Sequence, residues 1–499
     1  MASKVKNNAI FDRIFHKRGN FITFILLLFI SALLIRLFKI QISDSDYYKN
    51  LALDQTFQNV KIKPERGLIC DRNEKILAMN IITYHIGARF KDITDPETSF
   101  SILSTLFNKP VAHYRNIFKN KDSFYYLEKD VPLSEASQLL DRQRGRKVRG
   151  KIYKELNGLK FDKITRRQYP FNEAAGQLIG FIGNEQFGLS GIEKSCEDLL
   201  AGKPGSRWDM NDKFGQILLS SQNNLIPPEN GASINLSLDI NYQIILDEEI
   251  QKALNKTEAL SGMGIIMNPN TGQILAMSSL PFFNPNNYQD HSISRQKIRA
   301  ITDTYEPGSI FKIITISAAI ERGLVTAESR INCENGQWKI YDRLLRDHHA
   351  NDWLSVQDIL VHSSNIGTAK IAEKLGDELL YQNIRQYGIG EIKDITLTGN
   401  STGSIKSPDQ WGKIKNSQVS IGQSVTTTLL EIASMYSVVA NGGRLLKPSI
   451  ISSYKTDNKI TKQSNESLVV RRVISPETAN IMKNMLEMVV KEGTGKAAY

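Results

Sequence analysis

Tyr305 to Ile320 reads YEPGSIFKIITISAAI, and this run decides how the rest of the chain is read. Pro307-Gly308 closes an extended segment. From Ile310 the residues are mostly apolar, with neither Gly nor Pro, so the pattern predicts a buried helix over Ile310–Ile320. Ser309 then stands at the N-terminus of that helix, with Lys312 three residues on and on the same face. The macrodipole at this end stabilises a developing alkoxide and opposes protonation of a nearby amine. A lysine desolvated along such a helix can take the serine proton. The same spacing fits a plainer arrangement, an N-capping serine with a snorkelling lysine, and the stretch by itself leaves both open. Serine with lysine three residues on also occurs at Ser3/Lys6, Ser294/Lys297 and Ser452/Lys455. The first precedes the apolar N-terminal run; the other two lie in polar stretches with no buried helix attached.

A second polar group is needed to relay protons and hold a substrate amide. Ser363-Ser364-Asn365 falls between two predicted amphipathic helices, Val356–Val361 and Ile366–Leu375. A serine and an asparagine two residues apart at such a turn can aim both side chains into one cleft. They can equally cap the second helix, and Ser-x-Asn recurs at Ser221/Asn223 and Ser233/Asn235.

Further out, FITFILLLFISALLI runs uncharged from Phe21 to Ile35, and apolar character continues to Ile42. As a helix, Phe21–Ile42 spans about 33 Å, enough for a hydrocarbon core. No small-residue cleavage site comes after it, so the segment reads as an uncleaved anchor. Lys4, Lys6, Arg13, Lys17 and Arg18 precede it against Asp12 alone, which keeps residues 1–20 cytoplasmic and exports the chain beyond the 21–42 anchor. ATP-driven chemistry is thereby excluded. The exit segment 43–60 is polar and partly helical. Lys61–Asn80 predicts a hairpin with Arg72-Asn73-Glu74 at its tip, and a helix is expected near Leu133–Arg142. Residues 222–231 (QNNLIPPENG) read as a linker, followed by a strand over Ser233–Asp239 and a helix over Tyr242–Asn255. Gly264–Ser278 predicts two strands around Asn-Pro-Asn-Thr-Gly.

The 499 residues carry 63 Lys and Arg against 52 Asp and Glu, a net charge of +11. No nucleic-acid motif accompanies it, so the charge reads as a solvated lysine-rich surface and nucleic acid is not an expected partner. Cys70, Cys196 and Cys333 are too far apart in sequence for a metal pattern, and no metal is expected.

The order Tyr305-Glu306-Pro307-Gly308-Ser309-Ile310-Phe311-Lys312, then Ser363-Ser364-Asn365-Ile366-Gly367, resembles the first two active-site motifs of penicillin-binding serine transpeptidases. The surrounding chain resembles their class B, membrane-anchored branch. The resemblance is carried by Arg66-Gly67-Leu68-Ile69 with Asp71-Arg72-Asn73, Arg167-x-Tyr169-Pro170, and Gly188-x-x-Gly191-x-Glu193. Asn268-Pro269-Asn270-Thr271-Gly272, Pro281–Asn286, Gly422-Gln423 and Ala440-Asn441-Gly442-Gly443 add to it. The doubled serine and the Tyr305–Gly308 lead-in are more similar to the septal, cell-division enzyme than to the elongation enzyme.

The resemblance implies an α+β and α/β multidomain chain with a single N-terminal transmembrane helix. An elongated pedestal, similar to a dimerisation domain, would cover 43–222, and a penicillin-binding, serine β-lactamase-like transpeptidase domain 223–499. It implies a bacterial inner-membrane protein with its catalytic domain in the periplasm, cross-linking peptidoglycan stem peptides that end in D-Ala-D-Ala. By that resemblance Ser309 is the nucleophile, Lys312 the base, Ser363 a proton relay and Asn365 the substrate-amide ligand, with the Ser309 N–H as half of an oxyanion hole. β-Lactam antibiotics would acylate Ser309. No cofactor is implied, and a septal glycosyltransferase and other division proteins are the expected partners.

The family's third motif, Lys-Thr-Gly or Lys-Ser-Gly, is absent from these residues. Gly493-Thr494-Gly495 resembles the segment that precedes it, so the transpeptidase domain is expected to be C-terminally incomplete. These 499 residues alone are then expected to be catalytically crippled, which measurable β-lactam acylation of them would refute. The alternatives are a non-catalytic division scaffold of the same fold, an elongation-type transpeptidase, and a D,D-carboxypeptidase. The long N-terminal domain and anchor argue against a β-lactamase.

Overall fold

The computed structural model describes residues 2–49, 57–148, 151–153, 155–211, 217–220, 225–391, 395–456, 459–463 and 468–498. The expected boundary at 222/223, residues 50–56 of the exit segment, and Tyr499 lie outside them. The chain divides into two compact units, Met1–Pro64 with Lys203–Glu229, and Glu65–Gly202 with Asn230–Tyr499.

In the first unit, the helix Ala2–Phe38 continues as a π-helical turn, Lys39–Ser43. Its stretch Arg18–Ser43 is long and apolar enough to cross a membrane, and none of it is buried against protein. The same unit holds a three-stranded antiparallel sheet of Phe57–Ile62, Gly205–Asn211 and Ile217–Ser220.

The second unit is organised by the long strand Ile76–Arg89. It pairs antiparallel with Phe124–Pro132, with Lys160–Gln168 and with the short strand Ile69–Cys70. Between Ile69–Cys70 and Ile76–Arg89 lies the predicted turn. Asp71 Oδ1 accepts the backbone N–H groups of Asn73 and Lys75 at 2.7 and 2.9 Å, which closes the loop locally. Ser233–Leu236 then adds parallel to Ile69–Cys70, and Ile451–Thr456 adds antiparallel to Ser233–Leu236. One sheet thus joins strands from both sides of residue 222. Residues 85–165 include a core of their own around Ile86, Phe100, Leu103, Tyr114, Leu139 and Leu156.

The helix predicted over Tyr242–Asn255 runs Ile240–Thr257, because Asp239 Oδ1 caps it by accepting the Asn241 N–H at 3.0 Å. This shortens the preceding strand to Ser233–Leu236. The hairpin Gly262–Met267 and Ile274–Leu280 forms where the Asn-Pro-Asn-Thr-Gly turn predicts it. Asn441 Nδ2 donates to the Pro269 carbonyl in that turn at 2.9 Å, so two of the resembling motifs meet in space.

The helix Lys312–Glu321 lies in the largest core, with every residue from Lys312 to Ile320 buried. Its isoleucines, Ile313, Ile314, Ile316 and Ile320, each contribute about 1.5–3 kcal/mol on burial. Together they outweigh the cost of carrying one lysine into the interior with them.

Candidate active site

Gly308 has φ of +64°, a left-handed conformation that suits glycine, and the chain enters its helix through a 3-10 turn, Gly308–Phe311. The α-helix proper begins at Lys312, two residues later than the apolar pattern predicts, because this tight turn takes up its first residues. Ser309 is exposed on the turn, and Lys312 is completely buried one turn on. Neither the turn nor the helix has a side-chain cap. Ser309 therefore does not cap this helix, and Lys312 does not snorkel.

The turn is held from outside. Gly308 N–H donates to the Gly422 carbonyl at 3.0 Å, and Tyr305 and Thr427 exchange two backbone hydrogen bonds. Glu306 Oε1 accepts the Ser424 N–H at 2.9 Å. Gly422 itself has φ of +77°, and a Cβ there would meet the Gly308 carbonyl oxygen at 2.1 Å. The segment 422–428 then enters the helix Leu429–Ala440 through a capping box of Thr428 and Glu431.

Lys312 Nζ reaches across to the second motif, donating to Ser363 Oγ at 2.9 Å and to the Ser363 carbonyl at 2.5 Å. Burial lowers the Lys312 pKa from its ordinary 10.5 to about 8, and the charge of Asp347 opposes that fall only in part. The cationic form is thus disfavoured by about 3 kcal/mol relative to a solvated lysine. About a tenth of the amine is neutral at pH 7, against less than a thousandth for an ordinary lysine.

Both readings of Ser363-Ser364-Asn365 hold, for different serines. Ser364 is the N-cap of the helix Asn365–Leu375, its Oγ accepting the Gly367 N–H at 2.9 Å. Ser363 is freed for Lys312. It sits at φ of +57°, a left-handed conformation that costs a non-glycine residue about 1–3 kcal/mol. Asn365 is half-buried, and its Nδ2 donates to the Arg346 carbonyl at 3.0 Å. The fold therefore brings Lys312 and Ser363 into direct contact, with Asn365 two residues from Ser363 and Ser309 one turn from Lys312. Gly493 packs against the Val361 carbonyl, just ahead of Ser363. Sequence reasoning missed Asp347, which directly follows the hairpin Gln337–Ile340 and Arg343–Arg346 and has no motif of its own, and noted Gly422 only through the resemblance.

A second charged centre lies in the same unit. Arg66 Nε and Arg167 Nε each donate to a different oxygen of the buried Glu193 carboxylate at 2.7 Å. Arg66 Nη2 also reaches Glu197 at 2.7 Å, and Arg167 Nη1 reaches Asn80 at 3.0 Å. Burial pulls the Arg66 pKa down, but Glu197 and Glu193 outweigh it and hold the value above its ordinary level.

An exposed serine one turn before a buried lysine, whose amine donates to a second serine, has the parts that serine acyl transfer requires. Residues 262–499 match the penicillin-binding protein transpeptidase domain, and residues 61–236 the penicillin-binding protein dimerisation domain. Stage V sporulation protein D of Bacillus subtilis is 30% identical over 480 residues, 93% of this chain and 71% of that protein. A probable peptidoglycan D,D-transpeptidase, PbpC of Pseudomonas aeruginosa, is 28% identical over 92% of this chain and 78% of its own length. Penicillin-binding protein 2X from Streptococcus thermophilus shares the fold with a TM-score of 0.70 at 20% identity, over 86% of this chain and 66% of that one. The chain belongs to the class B penicillin-binding proteins.

Proposed function

We propose that this chain is a serine D,D-transpeptidase that cross-links peptidoglycan stem peptides, acting at the division septum and trapped by β-lactams. The observation that carries the reading is the buried Lys312 amine, 2.9 Å from Ser363 Oγ and held near pKa 8. Neutral Lys312 takes the Ser309 proton as Ser309 Oγ attacks the penultimate D-Ala carbonyl. Negative charge develops on the carbonyl oxygen at the N-terminal end of the helix, where the dipole and the Ser309 N–H stabilise it. The proton passes by way of Ser363 to the departing amine, D-Ala leaves, and the acyl group stays on Ser309. Asn365 holds the stem-peptide amide. A neighbouring stem's amine then attacks the ester, returns Ser309 Oγ, and completes the cross-link. A β-lactam takes the first half of this path, and its tethered leaving amine stays in the site.

The test is labelling of the full-length protein by a fluorescent penicillin, followed by peptide mapping. One adduct on Ser309, absent in Ser309→Ala, is expected; no adduct, or one elsewhere, overturns the reading.

The basic N-terminal tail supports a cytoplasmic start, an inner-membrane span and a periplasmic catalytic domain. An export-dependent reporter fused behind the anchor should be active, and an inactive one would reverse the topology. The doubled serine at 363–364 supports the septal role, with a septal glycosyltransferase and other division proteins as partners. A tagged copy should gather at midcell, whereas a lateral-wall distribution would favour elongation.

A further inference from the structure

We propose that the cavity at the C-terminal end of the Lys312–Glu321 helix is a docking site for an acidic peptide segment of a partner protein, held by Arg322, Arg385 and Arg472. The inference goes beyond the chemistry proposed for Ser309 and does not depend on it.

Three elements build this cavity of about 530 Å³. Glu321 and Arg322 come from the end of the Lys312–Glu321 helix, and Tyr381, Arg385 and Gln386 from the helix Asp377–Gln386. Arg472 and Val473 come from the end of the strand Val469–Arg472. The size falls within the range of about 300–1,000 Å³ typical of ligand pockets. Ser309 lies beyond the other end of the Lys312–Glu321 helix, which is about 15 Å long, so the cavity is separate from the Ser309 site.

The lining offers more donors than acceptors. Glu321 is its one acid among the described residues. Both Glu321 oxygens already accept the Ser475 N–H at 3.0 Å, and Oε2 also accepts the Ser475 hydroxyl at 2.8 Å. The Gln386 carbonyl is taken by Arg471 Nε at 2.8 Å. On the donor side, Arg385 Nη1 meets the Ile389 carbonyl at 2.8 Å, and Arg472 Nη1 meets the Gly442 carbonyl at 2.9 Å. The other guanidinium nitrogens of both have no partner among the described residues. Arg322 is exposed and directly follows its helix, where an arginine can bond the free terminal carbonyls. Its guanidinium bonds none of them, and no other described residue pairs with it.

Three guanidiniums around one committed carboxylate repel one another, and a ligand that brings negative charge and acceptor oxygens relieves that repulsion. Carboxylates fit better than phosphate does. The planar fork of arginine matches a carboxylate edge to edge. Phosphate is favoured by the N–H groups of a helix N-terminus, whereas both helix ends at this cavity are C-termini. The arginines stand on three separate elements, so one carboxylate does not engage them all. Two or more acidic side chains on one peptide do, with Tyr381 and Val473 supplying apolar surface for their stems.

The test titrates the full-length protein with a fluorescein-labelled hexapeptide of alternating glutamate and glycine, read by anisotropy. Saturable binding is expected, about fivefold weaker in Arg322→Ala and again in Arg472→Ala. Arg322 is exposed and unbonded, so its replacement leaves the fold intact. Arg322→Lys keeps the charge without the fork and should recover only part of the loss. A peptide with glutamine in place of glutamate should bind about tenfold more weakly or not at all. Inorganic phosphate should displace the acidic peptide only in large excess. No saturation, equal affinity for the two peptides, or unchanged affinity in both alanine variants overturns the proposal. Displacement by equimolar phosphate would make this a small-anion site and overturn the peptide assignment.

Discussion

Two buried cationic centres lie in the same compact unit and do opposite things. At Arg66 and Arg167 each guanidinium meets a Glu193 oxygen at 2.7 Å, so the charge entering the interior is matched on arrival. At Lys312 the ammonium meets a hydroxyl and a carbonyl of Ser363, and its carboxylate influence comes from Asp347, which is already bonded to residues 364–366. The consequence is visible in proton affinity. Arg66 is held above its ordinary value and cannot lose its proton, while Lys312 falls to about 8 and can. Burial with a directly bonded counter-ion makes a staple, and burial without one makes a base.

The sharpest way to break this contrast is Lys312→Met. Removing the proposed base should slow Ser309 acylation by about a thousandfold. The melting temperature should hold or rise, because an apolar chain of similar shape replaces an incompletely compensated cation. A large drop in melting temperature with acylation intact would make Lys312 a structural residue. Glu193→Ala should do the reverse. It takes the paired carboxylate from the buried Arg167 and leaves Arg66 only Glu197, and should cost about 3–5 kcal/mol of stability, seen as an earlier denaturant midpoint. Acylation by the molecules that remain folded should be little changed, and a collapse in that rate at constant stability would merge the two centres into one.

Gly422→Ala probes how tightly the Gly308–Phe311 turn is held. The added Cβ meets the Gly308 carbonyl oxygen at a backbone φ of +77°. The strain should be about 1–3 kcal/mol, shared between stability and an acylation rate roughly tenfold lower. Normal acylation in that variant would show that the Gly308–Gly422 contact is not needed to aim Ser309.

The smallest effect is that of pH. With Lys312 titrating near 8, acylation should rise about fivefold between pH 7 and pH 8 and then level off. Stability carries the same sign. Between about pH 8 and 10.5 the unfolded chain holds the Lys312 proton and the folded chain does not, so folding becomes more favourable as pH rises through that window. Below pH 8 both states are protonated and this contribution is flat. Lys312→Met should remove both trends, and Glu193→Ala should leave them in place. A pH profile that persists in Lys312→Met would assign the titration to another group.

Much of this was legible in the chain. Hydrophobic period placed the long apolar N-terminal helix, the helix behind Ser309 and the helices flanking Ser363, and Asn-Pro-Asn-Thr-Gly placed its hairpin. Those are local facts, because periodicity and turn chemistry act between residues a few positions apart. Spacing also put Ser309 and Lys312 on one face. It could not say whether the lysine was buried, because snorkelling and desolvation share a sequence pattern and differ only in what packs around the helix. Ser363 and Ser364 were equally ambiguous. The division of labour between a cap and a lysine partner needed the left-handed φ at Ser363 and an amine arriving from 51 residues away. Asp347 and Gly422 acquire their roles through non-local contacts, with the 364–366 amides and with the Gly308 backbone. The amino-acid sequence by itself determined which helices form and which side chains they carry. The tertiary structure alone decided which buried charge is left without a counter-ion, because desolvation and ion pairing depend on what the fold packs around each charge.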